Sequence, residues 1–372
     1  MDRETRQRIL VWGLSALAVV IVFCLFAFVS TGVGMAVVGL AIAAGVVIFA
    51  GWRRLILIGV VLVLVTFFTS VLIRLSPTDP TVALIPFSSE EQRAELREEL
   101  GLNENVFVQY KDFMGDFVTG ETNYYQSSGR AVNGTPVWDR LGDALPVSIQ
   151  LMLYAQILAL AFAIPLGIAA AYRSGTRTDK ALSTTAFGLL SLPNFVLAFI
   201  LIYYLAVQND FFPTSGLPAD AHTPFDGNAA DHFRSMFLPA VSLGAAQIAI
   251  YMRLLRSDMI QTLQEDFITM ARSKGLSTRR ILLRHALRPS SFTLLTAAAI
   301  NIGALIGGAI VIEVIFQLPG VGLLIFQAIN EKQYVALQTF VGIIAIAYVL
   351  ANVVVDLLYS VLDPRIRHAR AA

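Results

Sequence analysis

Long apolar stretches recur along this chain, and shorter polar intervals separate them. Eight of the apolar stretches contain no charged residue. A helix needs about 20 apolar residues to cross the hydrocarbon core of a bilayer, so each of the eight is predicted to be a transmembrane helix. These stretches are residues 9–29, 33–50, 55–73, 145–172, 181–208, 235–252, 289–312 and 333–355.

The polar intervals divide the chain into parts. The predicted fold class is an all-α polytopic membrane protein whose first two spans form an uncleaved hairpin, because the first run is too long for a signal peptide and a second follows at once. The predicted parts are an N-terminal transmembrane hairpin at 1–52, a single helix at 53–74, a polar segment at 75–144, and a core domain at 145–367 that contains a basic loop at 253–289.

The polar segment is predicted to form a small cap. Residues 88–102 are expected to form a surface helix that Ser88 or Ser89 caps and Gly101 ends. Residues 115–136 are rich in Gly, Asn and Ser and are predicted to be irregular.

Composition agrees with a membrane protein. Apolar residues make up 56% of the chain, charged residues 14%, and the mean hydropathy is +0.69. Soluble domains average nearer a quarter charged. The net charge of +1 argues against a nucleic-acid partner, and the single cysteine, Cys24, excludes an intrachain disulfide and a thiolate metal cluster.

Charge is distributed unevenly over the polar intervals. Residues 75–144 carry twelve acids and five bases, whereas 253–289 carries eight bases. When eight spans are threaded, all the strongly basic intervals fall on one side, which the positive-inside rule makes cytoplasmic. Both termini are therefore predicted to be cytoplasmic, and residues 75–144 and 209–234 extracytoplasmic.

The basic loop is the most informative interval, because it is cationic yet lies between apolar spans. Its eight bases are Arg253, Arg256, Arg272, Lys274, Arg279, Arg280, Arg284 and Arg288. A helix is predicted to continue over 251–270, and Gly275 permits the turn that follows a helix ending there. A second helix is predicted at 278–287, with Ser277 as its N-cap and Pro289 as its stop.

The second helix is predicted to be amphipathic. Ile281, Leu282 and Ala286 would face one way, and the arginines the other. One interpretation is a basic helix lying on anionic lipid. The other is a wedge that inserts into a partner's groove, and the glycine-centred turn favours the wedge. Residues 265–289 are called the basic elbow below.

Motifs for catalysis or metal binding are missing. None of the four lysines follows a glycine, so a Walker A loop is excluded. His222 and His232 lie near aspartates but lack metal-ligand spacing, and solvated loop residues are the favoured interpretation.

Glu313 begins a turn-rich loop near the end of an apolar stretch, on the side predicted to be extracytoplasmic. A structural role, in which its carboxylate accepts backbone hydrogen bonds, is favoured over a substrate contact. The residues expected to build this loop are Glu313, Phe316, Pro319, Gly320 and Gly322.

Several ordered motifs resemble a known family. ARSKGLSTRRILLRHALRP at 271–289 is similar to the coupling loop of inner-membrane permeases in binding-protein-dependent ABC importers, most of all the dipeptide, oligopeptide and nickel branch. Further similar motifs are LREELGL at 96–102, LSLPNFVLA at 190–198, GGAIVIEVIFQLPGVG at 307–322 and NVVVDLLYSVLDPRIR at 352–367. The resemblance covers about residues 53–367. Thr269 and Met270 depart from the family's usual Glu-Ala.

The resemblance implies a type I ABC importer transmembrane fold, with six core helices and two extra N-terminal ones. It implies that the chain is a non-catalytic permease subunit of an inner-membrane importer for peptides. The subunit itself is expected to bind no cofactor. The implied partners are a second, homologous permease, two ATPase subunits that hold ATP and Mg, and an extracytoplasmic substrate-binding protein. The residues that would contact an ATPase are Ala271, Arg272, Lys274, Gly275, Leu276, Ser277, Arg279, Arg280 and His285.

Two other functions compete with an ABC permease. An ion-coupled secondary transporter of small solutes would work without an ATPase, but such carriers bury more ionisable groups at the midplane than this chain offers. A membrane-embedded scaffold or sensor would move no substrate at all.

Overall fold

The computed structural model describes residues 52–75, 81–82, 89–99, 103–128, 131–214 and 229–362. The predicted N-terminal hairpin lies outside these ranges. The described residues fall into two compact units, one formed by those up to Pro146 together with those from Leu324 onward, and one by Val147–Leu323.

The described part of the chain is helical apart from one hairpin. In chain order its elements are α1 (Trp52–Arg74), α2 (Glu90–Glu99), α3 (Val106–Thr119), β1 (Asn123–Ser128), β2 (Ala131–Pro136), α4 (Val137–Tyr172), α5 (Arg177–Ser191), α6 (Asn194–Leu201), the π-helical turn π1 (Ile202–Val207), α7 (Ala229–Thr262), α8 (Asp266–Ser273), α9 (Thr278–Arg280), the π-helical turn π2 (Ile281–Ala286), α10 (Leu287–Ile300), α11 (Ile302–Phe316), α12 (Val321–Asn330) and α13 (Tyr334–Leu362).

Three of the described helices, α4, α7 and α13, are each long and apolar enough to cross a membrane. Two bent pairs raise that number to five if each pair is one span. The predicted span at 181–208 is one of them, bent by 104° where Pro193 separates α5 from α6. The predicted span at 289–312 is the other, bent by 49° between α10 and α11. By contrast, α4 runs through Pro165 without ending.

The polar segment is more ordered than the sequence suggested. Ser89 caps α2 through a reciprocal pair of hydrogen bonds with Gln92, as the predicted surface helix requires. The prediction that 115–136 is irregular is wrong, because α3 and the antiparallel strands β1 and β2 occupy most of it. Aromatic residues at helical spacing explain the helical part, α3. Tyr110 packs edge-on against Phe67 of α1, and its hydroxyl lies 2.9 Å from the hydroxyl of Thr66.

The strand β1 is fastened to the loop before α13. Tyr124 is fully buried, its hydroxyl donates to a carboxylate oxygen of Glu331 at 2.7 Å, and Arg140 lies 3.9 Å from the centre of its ring. Burial, together with the neighbouring Glu331 carboxylate, raises the pKa of Tyr124 well above its ordinary value. The phenol therefore stays protonated and keeps this hydrogen bond at physiological pH.

Gln333 makes a second attachment to the same strand. Its side chain is 4% exposed, accepts the N–H of Tyr125 at 3.0 Å and donates to the carbonyl of Tyr125. The amide thus pairs with one residue of β1 as a neighbouring strand would.

Replacing Gln333 by Leu is expected to remove the Gln333 partner of both backbone groups of Tyr125 and to cost about 2 kcal/mol of local stability. Hydrogen exchange at the Tyr125 amide should then become faster. The matched control is Glu331→Gln, which keeps an acceptor for the Tyr124 hydroxyl. Equal exchange in both variants and the parent would contradict the role given to Gln333.

Candidate functional site

The basic elbow begins with a break in the helix. The prediction of one helix over 251–270 is wrong, because α7 ends at Thr262 and α8 starts at Asp266, with Glu265 in an extended conformation between them. The break lets α8 turn its apolar side inward. Ile268 and Ala271 are buried in the same core cluster as Met259, and one straight helix would not bring all three together.

Gly275 makes the turn after α8. Its φ is +74°, a left-handed conformation that glycine adopts at no steric cost. Its N–H donates to the carbonyl of Arg272 at 2.9 Å, and the N–H of Leu276 donates to the carbonyl of Ala271 at 3.3 Å. This pair of hydrogen bonds is a Schellman motif, so the predicted turn is confirmed as a fixed structure.

The helical continuation differs from its prediction at both ends. Ser277 is the residue before α9 and is extended, but its side chain makes no capping hydrogen bond. Pro289 does not stop the helix, since helical structure runs from Thr278 to Ile300 through the turn π2. A proline inside a helix crowds the preceding turn and removes one donor, and the wider π-helical turn before Pro289 accommodates both effects.

The predicted amphipathicity of this segment is confirmed. Ile281 and Ala286 are buried, and Leu282 is half-buried. Of the residues predicted to contact an ATPase, Ala271 is buried, while Leu276 and His285 are half-buried. The others are exposed, and they are Arg272, Lys274, Gly275, Ser277, Arg279 and Arg280. The elbow therefore rests on an apolar underside and presents cations and a glycine turn outward.

A contact that the sequence did not reveal closes the base of the elbow. Ser290 is 2% exposed, and its hydroxyl lies 2.9 Å from that of Thr262, the last residue of α7. The two ends of the elbow are thereby held side by side.

Arg256 is not one of the outward cations, although the sequence grouped it with them. Its guanidinium donates two hydrogen bonds, of 2.5 and 2.8 Å, to the carboxylate of Asp179 near the start of α5. The Asp179 side chain is 5% exposed and also accepts the N–H of Gly175 and the hydroxyl of Ser183. A bidentate pair of this kind fixes the last turns of α7, which lead into the elbow, against α5.

His232 was expected to be a solvated loop residue, and this is wrong. It is 7% exposed in the first turn of α7, and its ring centre lies 6.0 Å from that of Tyr154. The other histidine of the predicted outer interval, His222, lies outside the described residues.

The Glu313 loop forms a closed structure of its own. Glu313 is 1% exposed, and its carboxylate accepts the N–H of Gly322 at 2.6 Å and a hydrogen bond from Ser148. Ser148 in turn accepts the N–H of Val321 at 2.9 Å. Phe316, Gly320 and Gly322 are buried and Pro319 is half-buried. The carboxylate is enclosed by its own loop and by Ser148 of α4, which favours a structural role over contact with a substrate.

Long apolar helices, an ion pair between α5 and α7 and an outward basic elbow are the features of a polytopic membrane protein. Comparison with known proteins gives the family. The family model for the binding-protein-dependent transport system inner membrane component matches residues 163–368. The model for the N-terminal part of such membrane components matches residues 49–152. The chain therefore belongs to the family of inner membrane components of binding-protein-dependent transport systems.

Curated relatives carry compatible names. A probable peptide ABC transporter permease protein of Sinorhizobium fredii is 36% identical over 317 residues, which cover 85% of this chain and 98% of that protein. The oligopeptide transport system permease protein AppB of Bacillus subtilis is 34% identical over 317 residues, which cover 85% of this chain and 98% of that protein. The dipeptide transport system permease protein DppB of Escherichia coli is 32% identical over 338 residues, 86% of this chain and 98% of that protein.

Proposed function

We propose that this chain is one of two permease subunits of an ATP-driven importer for peptides, and that the basic elbow couples it to a cytoplasmic ATPase. The names of the relatives support the peptide cargo. The observation that carries the coupling role is the elbow itself, whose buried underside and Schellman turn make it rigid while its cations face outward. A rigid projection transmits a push from a partner, which a slack loop does not.

The complete importer has further subunits. A second, homologous permease forms the other half of the translocation pathway, and an extracytoplasmic binding protein delivers the peptide. Two ATPase subunits bind ATP and Mg, and this chain binds neither and catalyses no reaction. The absence of a Walker A lysine supports this division of labour.

The proposed topology has six core helices of the type I importer fold and two extra helices within residues 1–52. Both termini and the elbow lie in the cytoplasm, and the α2, α3 and β1–β2 region lies outside. The uneven distribution of arginine supports this orientation. Reaction of an impermeant thiol reagent with single cysteines placed at Arg280 and Asn105 tests it from each side of the membrane.

Reversing two exposed arginines is the direct test of coupling. Arg279→Glu with Arg280→Glu is expected to weaken binding of the co-expressed ATPase subunits about tenfold or more, because it turns the positive outward face of the elbow negative and so removes its charge complementarity to the proposed partner. Binding is measured by co-purification with the tagged permease in detergent. This variant tests the charges without disturbing the turn, which Gly275→Pro would not. Proline cannot adopt a φ of +74° and has no N–H to donate to the carbonyl of Arg272, so it would unfold the turn.

The control reverses two other exposed arginines, Arg173→Glu with Arg177→Glu, on the same predicted side. Both side chains are exposed, and Arg177 lies in the first turn of α5, which acidic residues suit, so this variant should keep its fold and its ATPase. If the elbow variant bound the ATPase subunits as well as the parent does, that result would contradict the coupling role. Uptake that persists without any ATPase would instead indicate an ion-coupled carrier.

The cargo is tested separately. The purified binding protein of the same system is expected to bind members of a panel of di-, tri- and longer peptides, measured by calorimetry. Binding of a nickel chelate and no peptide would contradict the peptide assignment while leaving ATPase coupling intact.

A further inference from the structure

The helices α5 and α7 enclose a cleft of about 120 Å³ that no part of the proposed transport cycle uses. From α5, Ser183, Phe187 and Leu190 line it, and their spacing puts them on one face of the helix. From α7, Met252, Arg253 and Arg256 line the opposite wall. The cleft is thus mostly apolar, with two guanidinium groups and one hydroxyl.

Only one of the two guanidinium groups is neutralised. Arg256 is paired with Asp179, as described above. In the part of the chain that the structure describes, no carboxylate lies within ion-pair distance of Arg253, whose guanidinium carbon lies 5.7 Å from the centre of the Phe187 ring. The cleft therefore carries a net positive charge beside an aromatic wall.

The level of the cleft can be counted along the two helices. Ser183 is six residues after Arg177, the first residue of α5, and Arg256 is six residues before Thr262, the last residue of α7. At 1.5 Å per residue, both lie about 9 Å inside the basic ends of their helices. The predicted apolar spans begin at residue 181 and end at residue 252, so Ser183 and Arg253 lie close to the level at which phospholipid headgroups give way to acyl chains.

We propose that this cleft binds an anionic phospholipid of the cytoplasmic leaflet. Arg253 contacts the phosphodiester, and the acyl chain runs over Phe187 and Leu190. Basic pockets between transmembrane helices on this side suit such headgroups. Free phosphate offers the same charge but leaves the apolar wall unused, and Phe187, which is 55% exposed, favours an amphiphile. The proposal rests on the proposed orientation of the chain, which has its own test below.

Lipid retention by the intact transporter complex tests the site. The complex is reconstituted in nanodiscs of phosphatidylcholine with phosphatidylglycerol and examined by native mass spectrometry after release. Arg253→Gln is expected to retain phosphatidylglycerol about fivefold less than the parent. Arg173→Gln removes another exposed arginine, outside both the cleft and the basic elbow, and should retain as much as the parent. Equal retention by Arg253→Gln and the parent would overturn the proposal.

A labelling experiment reads the cleft directly, without any transport measurement. Cys24 is the only native cysteine, so Ser183→Cys in a Cys24→Ser background carries a single thiol. Maleimide should label this thiol more slowly in nanodiscs containing phosphatidylglycerol than in pure phosphatidylcholine. Equal slowing by inorganic phosphate would make the ligand a soluble anion, and no labelling in any lipid would mean that a protein partner fills the cleft. Either result would overturn the lipid site.

An experiment in sealed vesicles tests the proposed orientation separately from the lipid site. An impermeant maleimide is expected to reach the introduced thiol from the cytoplasmic side only. Labelling from the opposite side, together with slowing by phosphatidylglycerol, would contradict the proposed orientation and the choice of leaflet.

Discussion

Replacing Asp179 by Ala is expected to lower the stability of the folded chain by about 3 kcal/mol. Removal of one partner from a buried ion pair usually costs about 3–5 kcal/mol, because the other charge stays behind without a counter-ion. The lower end applies here, since Asp179 is 5% exposed but the Arg256 side chain keeps 27% of its surface in contact with the surroundings. The variant also leaves the N–H of Gly175 without its acceptor.

Thermal unfolding of the purified complex measures this loss, and a double-mutant cycle assigns it. If the pair is responsible, Asp179→Ala combined with Arg256→Ala should cost clearly less than the sum of the two single variants. Asp258→Ala, on the same helix as Arg256, is the matched control and should have little effect. Strict additivity would mean that the two side chains act independently.

The same variant should reduce peptide uptake per ATP hydrolysed. Arg256 lies six residues before the end of α7, and the elbow starts three residues after that end. Loosening this attachment lets the elbow move without moving α5. Unchanged coupling in a destabilised variant would limit the ion pair to a role in stability.

Replacing Gly322 by Ala is expected to be the second most damaging change, at roughly 1–3 kcal/mol for an overpacked site. A Cβ at this position would lie 2.5 Å from the Cα of Ile310 and 2.8 Å from the Glu313 carboxylate. The first neighbour is backbone and cannot rotate away. The N–H of Gly322 would then move off Glu313, and a buried carboxylate would lose a donor.

Gly307→Ala supplies the matched comparison in the same helix pair. A Cβ at Gly307 would meet nothing within 4 Å in the part of the chain that the structure describes. Alanine also favours a helix by about 1 kcal/mol over glycine. Denaturant titration should therefore find Gly307→Ala neutral or stabilised and Gly322→Ala destabilised. Similar stability of both variants would mean that the loop around Glu313 yields easily.

Local signals in the sequence were sufficient for several features. The cap at Ser89 and the turn at Gly275 follow from side-chain and backbone preferences that act over a few residues. The apolar underside of the elbow follows from helical spacing of Ile281 and Ala286. The hairpin of β1 and β2 was missed because its residues are polar and show no alternation that marks a strand.

Contacts between distant residues were out of reach. Asp179 and Arg256 are 77 residues apart, and Gln333 lies 208 residues from Tyr125. One charged or amide side chain in a list of many gives no indication of which partner it meets. The two helix breaks, before α6 and before α8, also differ in how local their causes are. Pro193 is a local signal for the first break, whereas no local signal in the sequence predicts the second.

The sequence by itself determined that this chain is a multi-span membrane protein with a basic elbow. It also determined that the chain resembles a family of transport permeases. Charge-free runs of sufficient length, the positions of arginine and the order of short motifs are all properties of the chain as written. Only the tertiary structure decided which cations face outward, which one is neutralised by Asp179, and how Glu313 is enclosed. The reason is physical: burial and pairing depend on which distant segments pack together, and packing is a property of the folded chain as a whole.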